Sequence, residues 1–308
     1  MVKLSRIVLM VPSLLMALAV QQVAAQDDAG TAKENTVFNS LVTEGVAITP
    51  DVTVQVTPPA LTEAMNAQQQ TEAITKVAGG KSASAFIRNS SSFPAIKIEE
   101  IRDSKGQRVG TRLDFWFVAL GDLKTVSDAG LLNNLVEISD AERGLPREAR
   151  ALTTEEHEAR GLKETTRDGY EDWYYGINVP VMNQVQLSGI GFANRTRNAD
   201  SILAAINYLP KYKDDQQFPT VWRHVVNRAG VPTLSDDLHP YPGLGGYIKA
   251  TQLKGENGVF VEVHFVFAQP PEWFGGRDPL ASKLPQAIRN NTTKFARELR
   301  KASQSTRN

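Results

Sequence analysis

Glu262 and His264 stand two apart in the run Val259-Phe-Val-Glu-Val-His-Phe-Val-Phe267. Side chains alternate across a strand, so a strand here presents both on one face. A carboxylate and an imidazole so placed suit two chemistries: two metal ligands, or a general base with the group that orients it. Asp114, inside a second apolar run, or a loop histidine would complete such a site. The competing reading of the pair is a wetted sheet face, or a satisfied polar pair beneath a helix.

Other catalytic signals are missing from the sequence. The histidines are His157, His224, His239 and His264. They form no HExxH and no close pair, and no Asp-rich calcium loop is present, so no metal site is expected. Without cysteine there is neither a disulfide nor thiol catalysis. No Gly-x-Ser-x-Gly elbow occurs, nor a Ser-x-x-Lys with its partner motifs. The acid pairs Asp214-Asp215 and Asp236-Asp237 sit in hydrophilic loops, where charge serves solvation. Pro242-Gly-Leu-Gly-Gly246 precedes a strand, whereas a phosphate loop precedes a helix N-terminus. No cofactor is expected.

Aromatic residues are the second candidate set. Trp173 and Tyr175 in one run, Trp222, His239 and Tyr241 in an irregular stretch, Trp273 after a Pro-Pro break, and Trp116 could together line a ligand site. Aromatic rings bring large apolar area, and the indole and phenol add a polar handle. The competing reading is core and rim packing.

Lys+Arg and Asp+Glu number 34 each, a net charge of zero. No basic-aromatic patch suggests nucleic acid. Residues 1–25 read as a secretory signal: Lys3 and Arg6 open it, Ile7 to Val20 form the apolar run, and Val23-Ala24-Ala25 the cleavage site. That run is short of the roughly 20 residues a membrane span needs, and no other stretch is long enough, so the mature chain is expected to be soluble, without a transmembrane segment, and periplasmic or secreted. Cysteine-free export has a bacterial look. Residues 26–59 are expected to be flexible or partly ordered, and 60–308 to form a single domain.

The elements that must position these residues are legible in part. Tyr247 to Leu253 and Val259 to Phe267 predict a hairpin across Lys254-Gly-Glu-Asn-Gly258, bounded by glycines and rich in β-branched and aromatic residues. A helix follows from Ser282, with Leu284, Ile288, Phe295 and Leu299 on one stripe. The opposite face, with Lys294, Arg297, Arg300 and Lys301, reads as solvated surface. Ala95 to Arg102 and Val109 to Leu120 predict a second hairpin. Trp173 to Val179 and Val181 to Phe192 predict a central pair, where Gly189 and Gly191 mark a bulge or a close approach. Helices are predicted at Ala60 to Ala78, Leu123 to Ile138, Thr153 to Arg160 with a capping box at Glu156, and Ser201 to Tyr208. Lys81 to Phe93 reads as a Ser-rich connection and Leu209 to Gly246 as irregular, a binding loop or a packed arm. The fold class is α+β: a mostly antiparallel sheet, inserted helices, and a long C-terminal helix packed on the sheet. The element order resembles helix-grip folds, in which a curved sheet wraps a helix around a cavity.

Asp114-Phe-Trp-Phe-Val-Ala-Leu-Gly-Asp-Leu-Lys-Thr-Val126, with Tyr247-Ile-Lys, Trp273-Phe-Gly and Ser282-Lys-Leu-Pro285, resembles a family of uncharacterised exported bacterial proteins. The resemblance implies one family unit across much of the mature chain and brings no activity or site residue with it. Three functions stand: a non-catalytic binding protein for an apolar or amphipathic small molecule; a hydrolase or metal enzyme using Glu262 and His264, with Asp114; and a structural or envelope-interaction module. The oligomeric state is left open by the sequence.

Overall fold

The computed structural model describes residues 31–128, 131–132, 145, 148–275, 277 and 279–305. The expected leader lies outside them, as does most of the stretch from 129 to 138 expected to continue a helix. In chain order the elements are α1 (Thr31–Glu34), α2 (Thr36–Thr43), β1 (Val46–Thr49), β2 (Val52–Val54), α3 (Ala67–Val77), α4 (Ala83–Asn89), β3 (Ala95–Arg102), β4 (Arg108–Leu120), α5 (Leu123–Asp128), β5 (Glu148–Ala151), α6 (Thr154–Arg160), β6 (Thr166–Arg167), β7 (Tyr170–Val181), β8 (Val185–Arg197), β9 (Ser201–Tyr208), β10 (Val221–Arg228), β11 (Val231–Leu234), β12 (His239–Pro240), β13 (Leu244–Gln252), β14 (Gly258–Ala268) and α7 (Pro279–Ser305).

Twelve of these strands form one curled antiparallel sheet. From one edge it runs β3, β4, β14, β13, β9, β8, β7, with β5 and β6 beyond β7; β10 pairs with the first half of β8 and carries β11 and β12. Every residue of β14 is buried, because it has a paired strand on either side and a covering layer on either face. Its odd-numbered residues, Val259 to Phe267, face α7 together with Leu113, Phe115 and Phe117 of β4. The stripe Leu284, Ile288, Phe295 and Leu299 of α7 joins the same core, and Phe295 meets Phe117 edge to face at 5.4 Å. This is the inner face, and the long helix on a curled sheet is the helix-grip arrangement the element order suggested.

The outer face is covered by segments from residues 31–89. Residues 31–59 pack there: α2 buries Val37, Phe38 and Leu41, and Phe38 meets Tyr247 edge to face. Asn35 caps α2 by accepting from the Phe38 N–H, and its amide donates to the carbonyl of Asn194 in β8. Further along, α3 and α4 bury Ile74 and Phe86 against Trp116, Val118 and Phe260.

Several expectations are corrected. The Ala60 to Ala78 helix begins only at Ala67, capped by Asn66 with Gln69 in a capping box; the backbone of Ala60 and Leu61 is bonded to the sheet instead. Lys81 to Phe93 contains a helix, α4, capped by Ser82. Ser201 to Tyr208 is a strand. Both of its faces are buried, so it lacks alternation, and the Asn198 side chain that accepts from Asp200 and Ser201 N–H groups shapes a turn between strands. The stretch 209–246 holds the β10–β11 hairpin, whose turn places Ala229 and Gly230 at φ 52° and 82°. The C-terminal helix starts a turn before Ser282, at Pro279, a residue suited to a helix start. Gly189 and Gly191 are sites of close approach: a Cβ there would lie 2.4 Å from the Tyr208 ring and 2.0 Å from that of Tyr175.

Phe295→Ala should cost about 3–5 kcal/mol of stability by opening a cavity between α7 and the sheet, whereas Lys301→Ala on the exposed face should change it by less than about 0.5 kcal/mol; urea unfolding of the two variants reads the difference.

Candidate functional site

The structure brings Glu262, His264 and Asp114 to one face of the sheet and most of the aromatic set to the other. On the outer face, Asp114, Glu262 and His264 converge, as β4–β14 pairing requires: His264 stands opposite Asp114, and Glu262 opposite Trp116. The His264 Nδ1 lies 2.7 Å from Asp114 Oδ1 and its Nε2 lies 3.4 Å from Glu262 Oε2. Trp116 meets the imidazole edge to face at 5.4 Å, and Tyr247 lies across it at 4.8 Å.

A strap formed by residues 55–63 closes over this group. The Ala60 N–H donates to Glu262 Oε2 at 2.6 Å and the Thr57 hydroxyl to Asp114 Oδ2 at 3.1 Å. Lys249 Nζ donates to the Leu61 carbonyl at 2.9 Å and lies 3.6 Å from Glu63. Tyr247 Oη donates to the Thr57 carbonyl at 2.8 Å. Burial opposes the charged form of Glu63, but hydrogen bonds from Ser201 and Thr31, with the Lys249 ammonium, hold its pKa below the usual value. Burial likewise opposes protonation of His264, yet hydrogen bonds to Asp114 and Glu262 and their charges outweigh it and raise its pKa. The imidazole is held between two carboxyl groups that favour its protonated form. Base, orienter and acid partner are in register, but Glu262 and His264 are wholly buried and Asp114 is 2% exposed. In this conformation the group fastens the strap.

The inner face gathers most of the aromatic set. Trp222 on β10 stacks on His239 at 4.3 Å and lies 6.2 Å from Trp273. Trp273 stacks on Tyr241 at 5.7 Å, and Tyr241 meets Tyr208 edge to face at 5.5 Å. Tyr175 lies over Gly191 beside the Tyr208 ring seated on Gly189, because each aligned glycine removes the side chain that would hold a ring off β8. Trp173 sits farther along β7, partly buried against the same core. Trp116 does not belong here; it is on the outer face. A cleft of about 530 Å³ opens beside the cluster, lined by Gln184, His224, Val225, Glu272, Trp273, Phe274, Gly275, Arg277 and Pro279. Tyr241 donates its hydroxyl to the Ala268 carbonyl, while the hydroxyls of Tyr175 and Tyr208 and the indole N–H of Trp273 are buried without a hydrogen-bond partner. Burial raises the pKa of all three tyrosines, so their phenols stay neutral.

Among the described residues no group of three or more His, Cys, Asp or Glu side chains is arranged to hold a metal, and no helix is long and apolar enough to cross a membrane. No protein-family model matches the chain, and neither does any curated protein. Among the solved structures that resemble it distantly are the following three. An uncharacterized protein from Rhizobium leguminosarum is 9% identical, over 67% of this chain and 99% of that one, with a TM-score of 0.29. The lipid transfer and protein localization domain of human StarD13 is 11% identical, over 64% and 84%, at 0.32. CalU16 from Micromonospora echinospora is 7% identical, over 69% and 96%, at 0.24. At these TM-scores the likenesses carry no argument for a function.

Sequence reasoning missed Tyr208, read as helical, and Lys249, Glu63 and Thr57 around the His264 group. The signal for Lys249 was present: a lysine in the middle of an otherwise apolar strand requires a buried partner.

The His264 network makes stability depend on pH. A histidine whose folded pKa is raised contributes stability that is fully present below its ordinary value near 6.5 and is lost as pH rises through the folded value. We expect the unfolding free energy to fall across that window, and His264→Gln to lower stability while flattening this slope; chemical denaturation at a series of pH values measures both.

Proposed function

We propose that the chain is an exported, non-catalytic binding protein that holds an apolar or amphipathic small molecule at the inner face. The observation that carries this reading is the cleft of about 530 Å³ beside Trp273, from which a continuous set of rings leads inward. Its size falls within the range of small-molecule sites, and its character matches theirs: apolar and aromatic walls with a few polar groups at the rim. Gln184, His224, Glu272 and Arg277 supply the polar rim, while Trp273 and Phe274 supply the apolar wall. An amphipathic molecule would place its head among the former and its apolar body against the latter. The charged and then apolar start of the sequence, ending in Val23-Ala24-Ala25, supports export.

The hydrolase alternative has the convergence of Asp114, His264 and Glu262 in its favour. What weighs against it is that both ring nitrogens are engaged and the strap lies over them. A substrate would have to displace hydrogen bonds to Ala60 and Thr57 before reaching the imidazole.

A dansylated fatty acid titrated into the mature protein should show saturable fluorescence enhancement. Trp273→Ala should weaken binding about tenfold while the protein stays folded by circular dichroism. Absence of saturable binding, together with no bound mass in native mass spectrometry of protein purified from its source compartment, would remove this reading.

A further inference from the structure

We propose that the exposed face of α7, with Phe93 and Leu120 beside it, is a docking surface for an anionic lipid bilayer. This surface is separate from the cleft, so the inference goes beyond the binding reading and does not depend on it.

The charge on α7 is one-sided. Residues 279–305 carry six basic side chains, Lys283, Arg289, Lys294, Arg297, Arg300 and Lys301, against the single acid Glu298. The chain as a whole has as many acids as bases, so the helix concentrates an imbalance that the whole protein lacks. Leu284, Ile288, Phe295 and Leu299 turn toward the sheet. The same steps of three and four set Arg289, Thr293, Arg297, Arg300 and Lys301 outward, all of them exposed. No carboxylate stands among the exposed residues of the helix.

Exposed cations elsewhere are often balanced: Lys97, Arg102, Arg167 and Arg228 each pair with a carboxylate. Arg289, Arg297, Arg300 and Lys301 take part in no ion pair among the described residues. At 1.5 Å per residue, Arg289 to Lys301 spans about 18 Å. A partner must therefore offer negative charge repeated over that length.

Apolar groups beside the row select the kind of partner. Four large apolar side chains are exposed among the described residues: Phe93, Leu120, Val231 and Leu238. Two of them adjoin α7. Thr293, in the exposed row, donates its hydroxyl to the Ser91 carbonyl at 3.3 Å, two residues before Phe93, which is 61% exposed. Leu120 is 48% exposed and precedes Gly121, where a Cβ would lie 2.8 Å from the Leu299 side chain. Phe93 thus follows a segment bonded to the middle of the helix, and Leu120 precedes one packed against its C-terminal half. A single exposed apolar side chain is ordinary. An aromatic and an aliphatic one beside a row of unpaired cations have the makeup of an interfacial surface, in which cations meet lipid headgroups and apolar groups enter the acyl boundary. An acidic polymer would satisfy the arginines but leave Leu120 in water.

The test is co-sedimentation of the mature protein with vesicles of phosphatidylglycerol and phosphatidylcholine in equal parts, beside vesicles of phosphatidylcholine alone. We expect binding to the anionic vesicles only, lost in high salt as charges are screened. Arg289→Gln, Arg297→Gln and Arg300→Gln combined should weaken it about a hundredfold, since each Lys or Arg near an anionic surface contributes about fivefold. Lys76→Gln, Lys163→Gln and Lys213→Gln combined remove the same charge from exposed positions off α7 and should leave binding largely intact. Phe93→Ser should weaken binding severalfold without changing its salt dependence. Equal binding to both vesicles overturns the inference, as does an arginine variant that binds like the parent or a lysine variant that loses as much. Retention on heparin with no vesicle binding overturns the lipid assignment. The dansylated fatty acid titration, run on the same variants, keeps the two readings apart: saturable uptake without vesicle binding removes this surface and leaves the cleft.

Discussion

Everything in this fold depends on burying a strand that has no exposed side. β14 has β13 on one flank and β4 on the other, α7 over one face and segments from residues 31–89 over the other. Its inner face solves the problem with hydrophobic side chains alone, which need only volume and shape. Its outer face cannot, because Glu262 and His264 are there, and a buried charge must be paired and hydrogen-bonded. The strap is the answer to that requirement. It brings backbone N–H groups to Glu262, a hydroxyl to Asp114 and a carbonyl to Lys249.

That division of labour separates stability from recognition. Apolar residues of similar volume would fill the outer site at comparable stability, but they could not satisfy the backbone groups of Ala60 and Leu61, and the strap would lose its register. The polar set on the outer face therefore specifies where residues 57–63 lie. The inner face is left free of ions at its centre, and it is here that rings accumulate whose hydroxyls and indole nitrogen have no internal partner. On one face the carboxyl and imidazole groups of Asp114, Glu262 and His264 are paired and closed over; the other has Trp273 with an unpaired indole N–H beside a cleft.

Much of this was legible in the sequence where local pattern and burial agree. Both long hairpins follow from alternation and glycine-bounded turns, the α6 capping box from Thr153 and Glu156, and the inner-face helix from its stripe. The convergence of Glu262 with His264 follows from strand periodicity alone. What was not legible depends on partners distant in sequence. Ala60 to Met65 has helical composition, but its backbone groups are claimed by Glu262 and Lys249, some two hundred residues away. Ser201 to Tyr208 is apolar on both faces, and a short run of that kind reads equally as helix or strand until its neighbours are known. The gathering of Trp222, Tyr241 and Trp273, with Tyr208, needs the curl of the sheet, which no local pattern encodes. Gly189 and Gly191 did signal a close approach, and the rings of Tyr208 and Tyr175 are what approaches.

The pairing of β4 with β14 has a consequence for how the chain reaches this state. Residue 110 lies opposite residue 268, and residue 120 opposite residue 258. Until the last strand exists, β4 has β3 on one side and an open hydrogen-bonding edge on the other, and the sheet cannot close. Contacts this far apart in sequence make folding slow, since a long loop must be closed before any of them forms. A growing chain therefore stays unfinished through most of its synthesis, with an apolar strand edge that has to be kept from pairing elsewhere. The same delay would hold the chain in a threadable form for as long as its final hairpin is missing.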